Sequence, residues 1–164
     1  MNSMESKTLI VKKAKNGKGL FVKKNFKARQ KIFEVKGKIV STKQFMRLSQ
    51  KIKDNTFRFD EEHYLVPTGE FGDFINHSCK PNCSVRKIGR KIFIFSIKNI
   101  KESSELLIDY STIIADDDWW KMRCNCKSKN CRKIVNKFIT LPKKVQKKYL
   151  GSEMVPEYIY SLNN

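Results

Sequence analysis

The chain has 164 residues, with 35 Lys and Arg against 16 Asp and Glu, and a formal net charge of +19. This length suits one domain with small appendages, and lysine or arginine interrupts every apolar run before it reaches the roughly 20 residues of a membrane-spanning helix. The charge favours a polyanionic partner such as nucleic acid, but the lysines are spread along the chain, so a solvated surface explains them equally well.

The first residues, 1–6, lead directly into a strand-like segment without the apolar region of a secretory signal. Five cysteines are an odd number, which argues against a complete disulfide framework. We therefore expect a soluble monomer in a reducing compartment, either the cytoplasm or the nucleus and its chromatin, and leave export to a host open.

Short apolar runs that alternate with polar residues fill the first 110 residues, a pattern typical of strands joined by tight turns. The runs lie at residues 9–11, 20–22, 32–35, 39–40, 57–59, 64–66, 92–97 and 106–108. Turn signals separate them at residues 16–19, 36–38, 67–69 and 88–90. The pattern predicts a mainly β fold without an independent second domain.

Few helices are expected. One is predicted over residues 43–51, with Phe45, Met46 and Leu48 as a possible buried face. Another is predicted to begin at Pro142, a residue suited to the first turn of a helix, and to run through Val145 and Tyr149 to Leu150. A last segment, residues 155–162, is expected to pack back as a cap.

Three cysteines, Cys124, Cys126 and Cys131, follow a C-x-C-x4-C spacing that suits thiolates converging on one metal ion. Structural zinc needs four ligands, and a short lysine-rich loop has too little apolar surface to bury three thiols without a metal. The fourth ligand must be Cys79 or Cys83, and the chemistry alone does not separate them.

Three rare strings occur in one order: Phe-Ile-Asn-His-Ser-Cys-Lys-Pro-Asn-Cys at 74–83, Glu-Leu-Leu-Ile-Asp-Tyr at 105–110, and Cys-Asn-Cys-Lys-Ser-Lys-Asn-Cys-Arg at 124–132. Together they resemble the signature of SET-domain protein lysine methyltransferases with a zinc-binding post-SET segment. The resemblance implies a mainly β, β-clip-like SET fold of short strands. It also implies a catalytic domain over residues 1–115, a zinc segment over 116–138 and a helical tail over 139–164 packed on the same domain.

The same resemblance implies methyl transfer from S-adenosylmethionine to a lysine of a basic protein, such as a histone or a ribosomal protein. Tyr110 matches the family's catalytic tyrosine, and the family's fourth zinc ligand corresponds to Cys79. The residues assigned to S-adenosylmethionine binding are Lys18, Gly19, Leu20, Asn76, His77 and Tyr110, and Ile134 and Val135 are expected to pack near its adenine. The lysine channel is assigned to Phe57, Phe59 and Ile108. The zinc ligands are assigned as Cys79, Cys124, Cys126 and Cys131.

Each of these assignments has a plainer alternative. A Gly-x-Gly at 17–19 is more often a simple hairpin turn, and a single tyrosine is more often part of the core. For both Phe57 and Phe59, a place in the ordinary core explains the sequence as well as a place in the lysine channel. Asp109 and Glu105 are interpreted as structural, bonding turns and strand ends, because a carboxylate is a poor base for a lysine ammonium.

The sequence departs from the family pattern at several positions. Ile108 stands where many members have Tyr or Phe, which removes a hydroxyl and bears on the number of methyl groups added. Asn55 replaces a channel aromatic, Asp73 replaces an arginine, and Ser103-Ser104-Glu105 replaces Gly-Glu-Glu. These changes concern substrate fit and donor affinity more than the fold.

The acidic run at 116–118, followed by Trp119 and Trp120, has two interpretations. It is either a solvated loop that tryptophan pins to the core, or the flank of a groove for a basic peptide. For the whole chain, the alternative to an enzyme is a catalytically silent zinc-stabilised module that binds nucleic acid or chromatin. A third interpretation, automethylation or a housekeeping substrate, differs only in the protein modified.

Overall fold

The computed structural model describes residues 7–161, and of the last two of these only the backbone. The predictions for residues 1–6 and for the end of the cap at residue 162 lie outside this part of the chain. Among the described residues, no helix combines the length and hydropathy needed to cross a membrane.

The fold is mainly β, as the sequence predicts, and its strands are short. The first pair, β1 (Leu9–Ala14) and β2 (Gly17–Val22), forms an antiparallel hairpin. Gly17 has a φ of +92°, a conformation that side chains disfavour and glycine permits, so this residue allows the tight turn. The other strands are β3 (Lys31–Val35), β4 (Gly37–Ser41), β5 (Phe57–Arg58), β6 (His63–Pro67), β7 (Asn76–His77), β8 (Cys83–Ile88), β9 (Lys91–Ser96), β10 (Leu107–Ile108), β11 (Met122–Arg123) and β12 (Ile134–Val135).

These strands form small sheets, and all of them except the β11-β12 pair contribute to one main core. The order β3-β9-β8 makes one three-stranded sheet and β4-β6-β5 another, both antiparallel. β10 pairs with β7 in parallel, and β11 pairs with β12 antiparallel. Burial alternates along the central strand β9: Ile92 and Ile94 are almost wholly buried, whereas Phe93 and Phe95 on the opposite face are half-buried.

The predicted helix over residues 43–51 is broken in the structure. It forms α1 (Thr42–Met46) and α2 (Gln50–Lys53), and Ser41 caps the first of these with a capping box. Its expected buried face is only partly correct: Phe45 and Leu48 are half-buried, whereas Met46 is 60% exposed.

The two predicted C-terminal helices are present as α3 (Lys143–Gly151), which Pro142 precedes, and α4 (Glu157–Ser161). Tyr149 is buried on α3, but Val145 is half-buried and Leu150 is exposed. Tyr158 on α4 donates its hydroxyl hydrogen to the carbonyl oxygen of Arg58 at 2.9 Å, so the last segment packs back onto β5 as expected.

Three apolar clusters hold the described chain together. The main core draws on β1 to β3, β5, β6, β8 and β9 and includes Leu106 and Ile108. A second cluster gathers residues of α3, α4 and the preceding turn, and a third consists of Ile114, Cys124 and Val135. The boundaries after residues 115 and 138, which the sequence suggests for the catalytic domain, the zinc segment and the helical tail, stay a prediction.

Candidate active site and metal centre

Two of the three sequence strings meet through the parallel pairing of β7 and β10. Asn76 lies opposite Leu107, and His77 lies opposite Ile108. Asn82, from the same string as His77, fixes this contact: its side chain donates to the Glu105 carbonyl at 2.7 Å and accepts from the Leu107 amide at 2.8 Å. Tyr110 therefore lies two residues after the end of β10, the strand that pairs with Asn76 and His77.

The hairpin carrying the Gly-x-Gly sequence also approaches this point. The Asn76 side-chain amide donates to the carbonyl of Lys18 at 3.0 Å and to Glu105 Oε1 at 2.7 Å. A Cβ on Gly19 would overlap Glu105 Oε1 and would lie 2.7 Å from the Ala14 Cβ. Glycine is thus required at position 19 by close packing, beyond what a hairpin turn needs.

His77 is buried and neutral. Its Nδ1 accepts a hydrogen bond from the Tyr110 amide at 3.1 Å, and burial lowers the pKa of its imidazole to about 4, despite the nearby Asp109. Because Nδ1 accepts, the ring proton is assigned to Nε2, which faces Cys79 Sγ at 3.4 Å. One imidazole therefore links the turn that begins at Tyr110 to the cysteine cluster.

The Tyr110 side chain is held at both of its ends. Its hydroxyl donates to the Ile75 carbonyl at 2.7 Å, and its ring centroid lies 5.8 Å from that of Trp120. Burial, with a contribution from Glu105, raises the pKa of Tyr110 well above the ordinary value. The phenol is therefore a neutral hydrogen-bonding group at physiological pH.

Tyr110 lines a cavity of about 770 Å³. The walls are aromatic: Phe45 stacks on Tyr64 with ring centroids 3.8 Å apart, and Phe57 and Trp120 also line the cavity. Four aspartates against one lysine and one arginine line it as well, namely Asp54, Asp73, Asp117 and Asp118 against Lys53 and Arg58. On a chain of strongly positive charge, this cavity is locally acidic and suits a cationic side chain.

The acidic run at 116–118 takes part in the cavity wall. Arg58, only 3% exposed, bonds both oxygens of Asp117, at 2.5 and 2.9 Å, and lies 3.2 Å from Asp118. Both sequence interpretations find some support, because Trp120 attaches this loop by donating to Asp54 at 2.9 Å while Asp117 and Asp118 line the cavity. Trp119, 94% exposed, does not pin the loop.

The remaining channel and donor predictions fall in different places. Of the three channel residues, Phe57 lines the cavity, whereas Phe59 and Ile108 are buried in the main core. Their channel role stays a prediction. Leu20 is fully buried and Lys18 is exposed, while Val135 is buried beside Cys124 and Ile134 is 56% exposed.

The four cysteines that the family resemblance names come together in the structure. The Sγ atoms of Cys79, Cys124, Cys126 and Cys131 lie within 4.8 Å of one another, and those of Cys79 and Cys124 are 3.7 Å apart. A tetrahedral zinc ion with Zn–S bonds of about 2.3 Å places its sulfur atoms roughly 3.8 Å apart, so the four thiols fit zinc.

Cys83 does not belong to this group. It is 1% exposed in the main core, and burial raises the pKa of its thiol to about 12. Of the two candidates for the fourth ligand that the sequence left open, the structure places only Cys79 with the other three thiols.

Further contacts attach the cysteine segment to the site. The Arg132 amide donates to Cys79 Sγ at 3.4 Å, the kind of N–H···S bond that stabilises a metal-bound thiolate. The Lys15 ammonium, in the hairpin turn, donates to the Asn125 carbonyl. The cysteine segment, residues 124–132, therefore contacts both the Gly-x-Gly hairpin and Cys79, which follows the Asn76-His77 strand.

Sequence reasoning did not assign Asn82, Arg132 or Tyr149 a part in the site. The first two lie within strings that the sequence singled out, so their positions gave some signal. For Tyr149 the sequence gave no signal of a site role beyond a position on the apolar face of a helix, because its hydrogen bond to Asp109 spans 40 residues.

Comparisons with known proteins agree with this geometry. A family model described as SET domain matches residues 17–111, more than half of the chain. Histone-lysine N-methyltransferase 2B of Homo sapiens is 36% identical over 139 residues, covering 77% of this chain and 5% of that protein. Histone-lysine N-methyltransferase, H3 lysine-4 specific, of Saccharomyces cerevisiae is 30% identical over 148 residues, covering 83% and 14%. Histone-lysine N-methyltransferase trithorax of Drosophila melanogaster is 31% identical over 132 residues, covering 74% and 4%. The chain thus spans a small part of these relatives.

Proposed function

The chain belongs to the SET-domain family, and on that premise we propose that it is an S-adenosylmethionine-dependent protein lysine N-methyltransferase. The observation that carries the proposal is the position of Tyr110. It lies at an aromatic, locally acidic cavity, and its amide is bonded to His77 in the Asn76-His77 strand. One side of the site is thus suited to a lysine side chain and the other to a methyl donor.

We assign donor binding to the hairpin residues Lys18, Gly19 and Leu20 and to Asn76 and His77. Gly19 supports this assignment, because its bare Cα lets the hairpin backbone approach Asn76 closely. Leu20 holds the hairpin in the core, and Asn76 holds the Lys18 carbonyl in place. When bound, S-adenosylmethionine supplies an electrophilic methyl group on a sulfonium.

A lysine in water has a pKa of about 10.4, so the site must favour the free amine. The carboxylates of the cavity attract the lysine as an ammonium, whereas the aromatic residues beside Tyr110 disfavour that charge by desolvation, and proton loss to water suffices to generate the amine. The amine nitrogen then forms a bond to the methyl carbon as the carbon–sulfur bond breaks, leaving a neutral thioether and a methylated ammonium. Tyr110, fixed at its hydroxyl and its ring, orients the reacting groups.

Zinc fits the proposal as a structural ion. Cys79, Cys124, Cys126 and Cys131 would hold it, and it would supply no step of the reaction. We propose a catalytic domain over residues 1–115, a zinc segment over 116–138 and a helical tail over 139–164. Zinc thiolates require a reducing environment, which supports a cytoplasmic or chromatin location.

We propose a basic protein, such as a histone or a ribosomal protein, as the substrate. The acidic cavity supports this choice, as do the relatives, whose names describe histone-lysine methyltransferases. Asp73 is the strongest candidate for contact with a flanking cationic residue. It lines the cavity without an ion-pair partner among the described residues, and burial raises its pKa.

The test is transfer of label from methyl-tritiated S-adenosylmethionine to histones and to a whole-cell lysate, with Tyr110→Phe as the control. We expect label in lysine-containing proteins with the native chain and a loss of about 100-fold or more with the variant. Undiminished labelling by Tyr110→Phe would overturn the assignment of Tyr110. A zinc-loaded native chain that labels no protein would overturn the function.

The second candidate, a silent module that binds nucleic acid, rests on one observation. α3 carries Lys143, Lys144, Lys147 and Lys148, all exposed, and no acidic residue. DNA binding that weakens steeply with salt, in a protein that takes up no S-adenosylmethionine, would favour this alternative.

A further inference from the structure

Asp109, the residue before Tyr110, is a buried carboxylate with an unusual set of partners. It is 1% exposed, and its oxygens accept hydrogen bonds from Arg132 Nη2 at 2.6 Å, from the Tyr149 hydroxyl at 2.9 Å and from the Ser111 amide at 3.1 Å. A buried carboxylate is costly unless donors surround it, so these three groups account for its stability in this position.

The donors come from three separate parts of the chain. Ser111 belongs to the turn that Asp109 itself begins, Arg132 follows the last cysteine of the cluster, and Tyr149 lies on α3. The SET-domain match ends at residue 111, so Arg132 and Tyr149 both lie beyond it. Asp109 is therefore where two later segments are attached to the matched domain.

Asp109 also determines how Tyr110 is presented. Its side chain caps the short 3-10 helix Tyr110–Thr112 by accepting from the Ser111 amide. The first residue of that helix is Tyr110, whose amide bonds to His77 Nδ1. A rotation of the Asp109 carboxylate would loosen this turn and shift the hydroxyl of Tyr110 from its bond to Ile75.

We propose that Tyr149 is a positioning residue, which acts through Asp109 to fix Tyr110 and so makes helix α3 part of the active site. This inference rests on the proposed methyltransferase function. The hydroxyl of Tyr149 supplies one of three donors to Asp109, and without it the carboxylate retains Arg132 and Ser111 but can rotate about them.

Tyr149→Phe isolates this contact, because it removes the hydroxyl and keeps the buried ring in the second apolar cluster. Tyr158→Phe is the matched control. Both tyrosines are buried in the C-terminal tail, and each donates one hydrogen bond, but Tyr158 donates to the Arg58 carbonyl. A role limited to folding would give the two variants the same behaviour.

The experiment measures kcat, KM for S-adenosylmethionine, zinc content and the melting temperature of both variants of the zinc-loaded full chain. We expect both to keep their zinc and to melt a few degrees lower. Only Tyr149→Phe should lower kcat, by about tenfold, as expected for one lost bond to a charged group. Its KM should change by less than about twofold, because the donor contacts are intact. Equal kcat for the two variants would overturn the proposal.

A second readout separates this proposal from the proposed function. In nitrogen-15 spectra of the zinc-loaded chain, Tyr149→Phe should shift the amide signals of Tyr110 and Ser111, whereas Tyr158→Phe should leave them in place. Unshifted signals in Tyr149→Phe would overturn the positioning role even in a protein without activity. Shifts in Tyr149→Phe together with a native chain that transfers no methyl group would overturn the function and the catalytic meaning of the contact together.

Discussion

The residues up to 113 and those from 114 onward are stabilised in different ways. The first region has one large apolar core, in which Leu20, Ile94, Leu106 and Ile108 are wholly buried, and ladders of backbone hydrogen bonds surround it. The second region has one apolar cluster that joins α3 and α4, while around the cysteines the described residues bury Ile114, Cys124 and Val135. Burial at about 25 cal/mol per Å² can hold the first region together, but three buried residues are too few to hold a lysine-rich loop.

Tyr110 lies where the two regions meet, because it packs against both the main core and the cysteine-side cluster. The strand before it belongs to the large core, while Arg132 and Tyr149 bind the carboxylate next to it. Under the proposed function, the catalytic tyrosine stands on a stable support and is set in place by a segment whose cysteines we propose to bind zinc.

Zinc removal should separate the two regions most completely. Structural zinc contributes about 10–16 kcal/mol to the folding of zinc-finger peptides, so chelation, or Cys124→Ser, should unfold the cysteine segment and abolish methyl transfer. The β signal in far-ultraviolet circular dichroism should persist, because the main core does not contain the cysteine cluster. Cys83→Ala is the control: it should destabilise the core and retain zinc. A metal-free protein that still transfers methyl groups would contradict the proposal that the cysteine segment needs zinc to position Tyr110.

Gly19→Ala tests the first region without disturbing the second. The added methyl overlaps Glu105 and approaches Ala14, and overpacking of this kind costs about 1–3 kcal/mol; where that cost falls on the donor-bound state, donor affinity should decrease by roughly 5- to 150-fold. Calorimetric titration with S-adenosylmethionine measures the effect. Gly151→Ala, where an added Cβ meets nothing within 4 Å, should leave the affinity unchanged. Equal affinities in the two variants would exclude the hairpin as a donor site.

The pH dependence tests the environment of Tyr110. Because burial raises its pKa, the phenol stays protonated while the substrate lysine, with a pKa of about 10.4, loses its proton. The rate at low peptide concentration should therefore rise about tenfold per unit between roughly pH 7 and 9, without a falling limb from Tyr110. A decline in rate below pH 9, with the protein still folded and zinc-loaded, would show that the tyrosine ionises there.

Trp119→Ala should have the smallest effect on stability. Its side chain is 94% exposed, so the free energy of unfolding should change by no more than about 0.5 kcal/mol in a urea titration. Because Trp119 borders the cavity, KM for a protein substrate should still increase. A clear loss of stability would mean that the acidic loop depends on this residue for its attachment.

Much of the fold followed from local patterns. Period-two alternation predicted short strands in the first region, and Pro142 marked the start of α3. The helix expected over residues 43–51 failed as a single helix, because Ser49 starts a new turn and the segment packs against the sheet only through half-buried residues. Local propensity could not reveal that break.

The candidate site was predicted where its residues are close in sequence or follow a fixed motif. The cysteine spacing identified three of the four clustered thiols, and the family resemblance named Cys79 as the fourth, which spacing alone could not distinguish from Cys83. The hydrogen bonds from Arg132 and Tyr149 to Asp109 join residues 23 and 40 positions apart, and no periodicity encodes them. Long-range polar contacts of this kind depend on how the segments pack.

The proposed activity is tested most directly by tandem mass spectrometry of histones and of a whole-cell lysate, each incubated with the zinc-loaded chain and S-adenosylmethionine. We predict methyl groups on lysine side chains, present with the native chain and absent with Tyr110→Phe. Methylation of another residue type, or no methylation by a chain that binds the donor, would contradict a lysine methyltransferase.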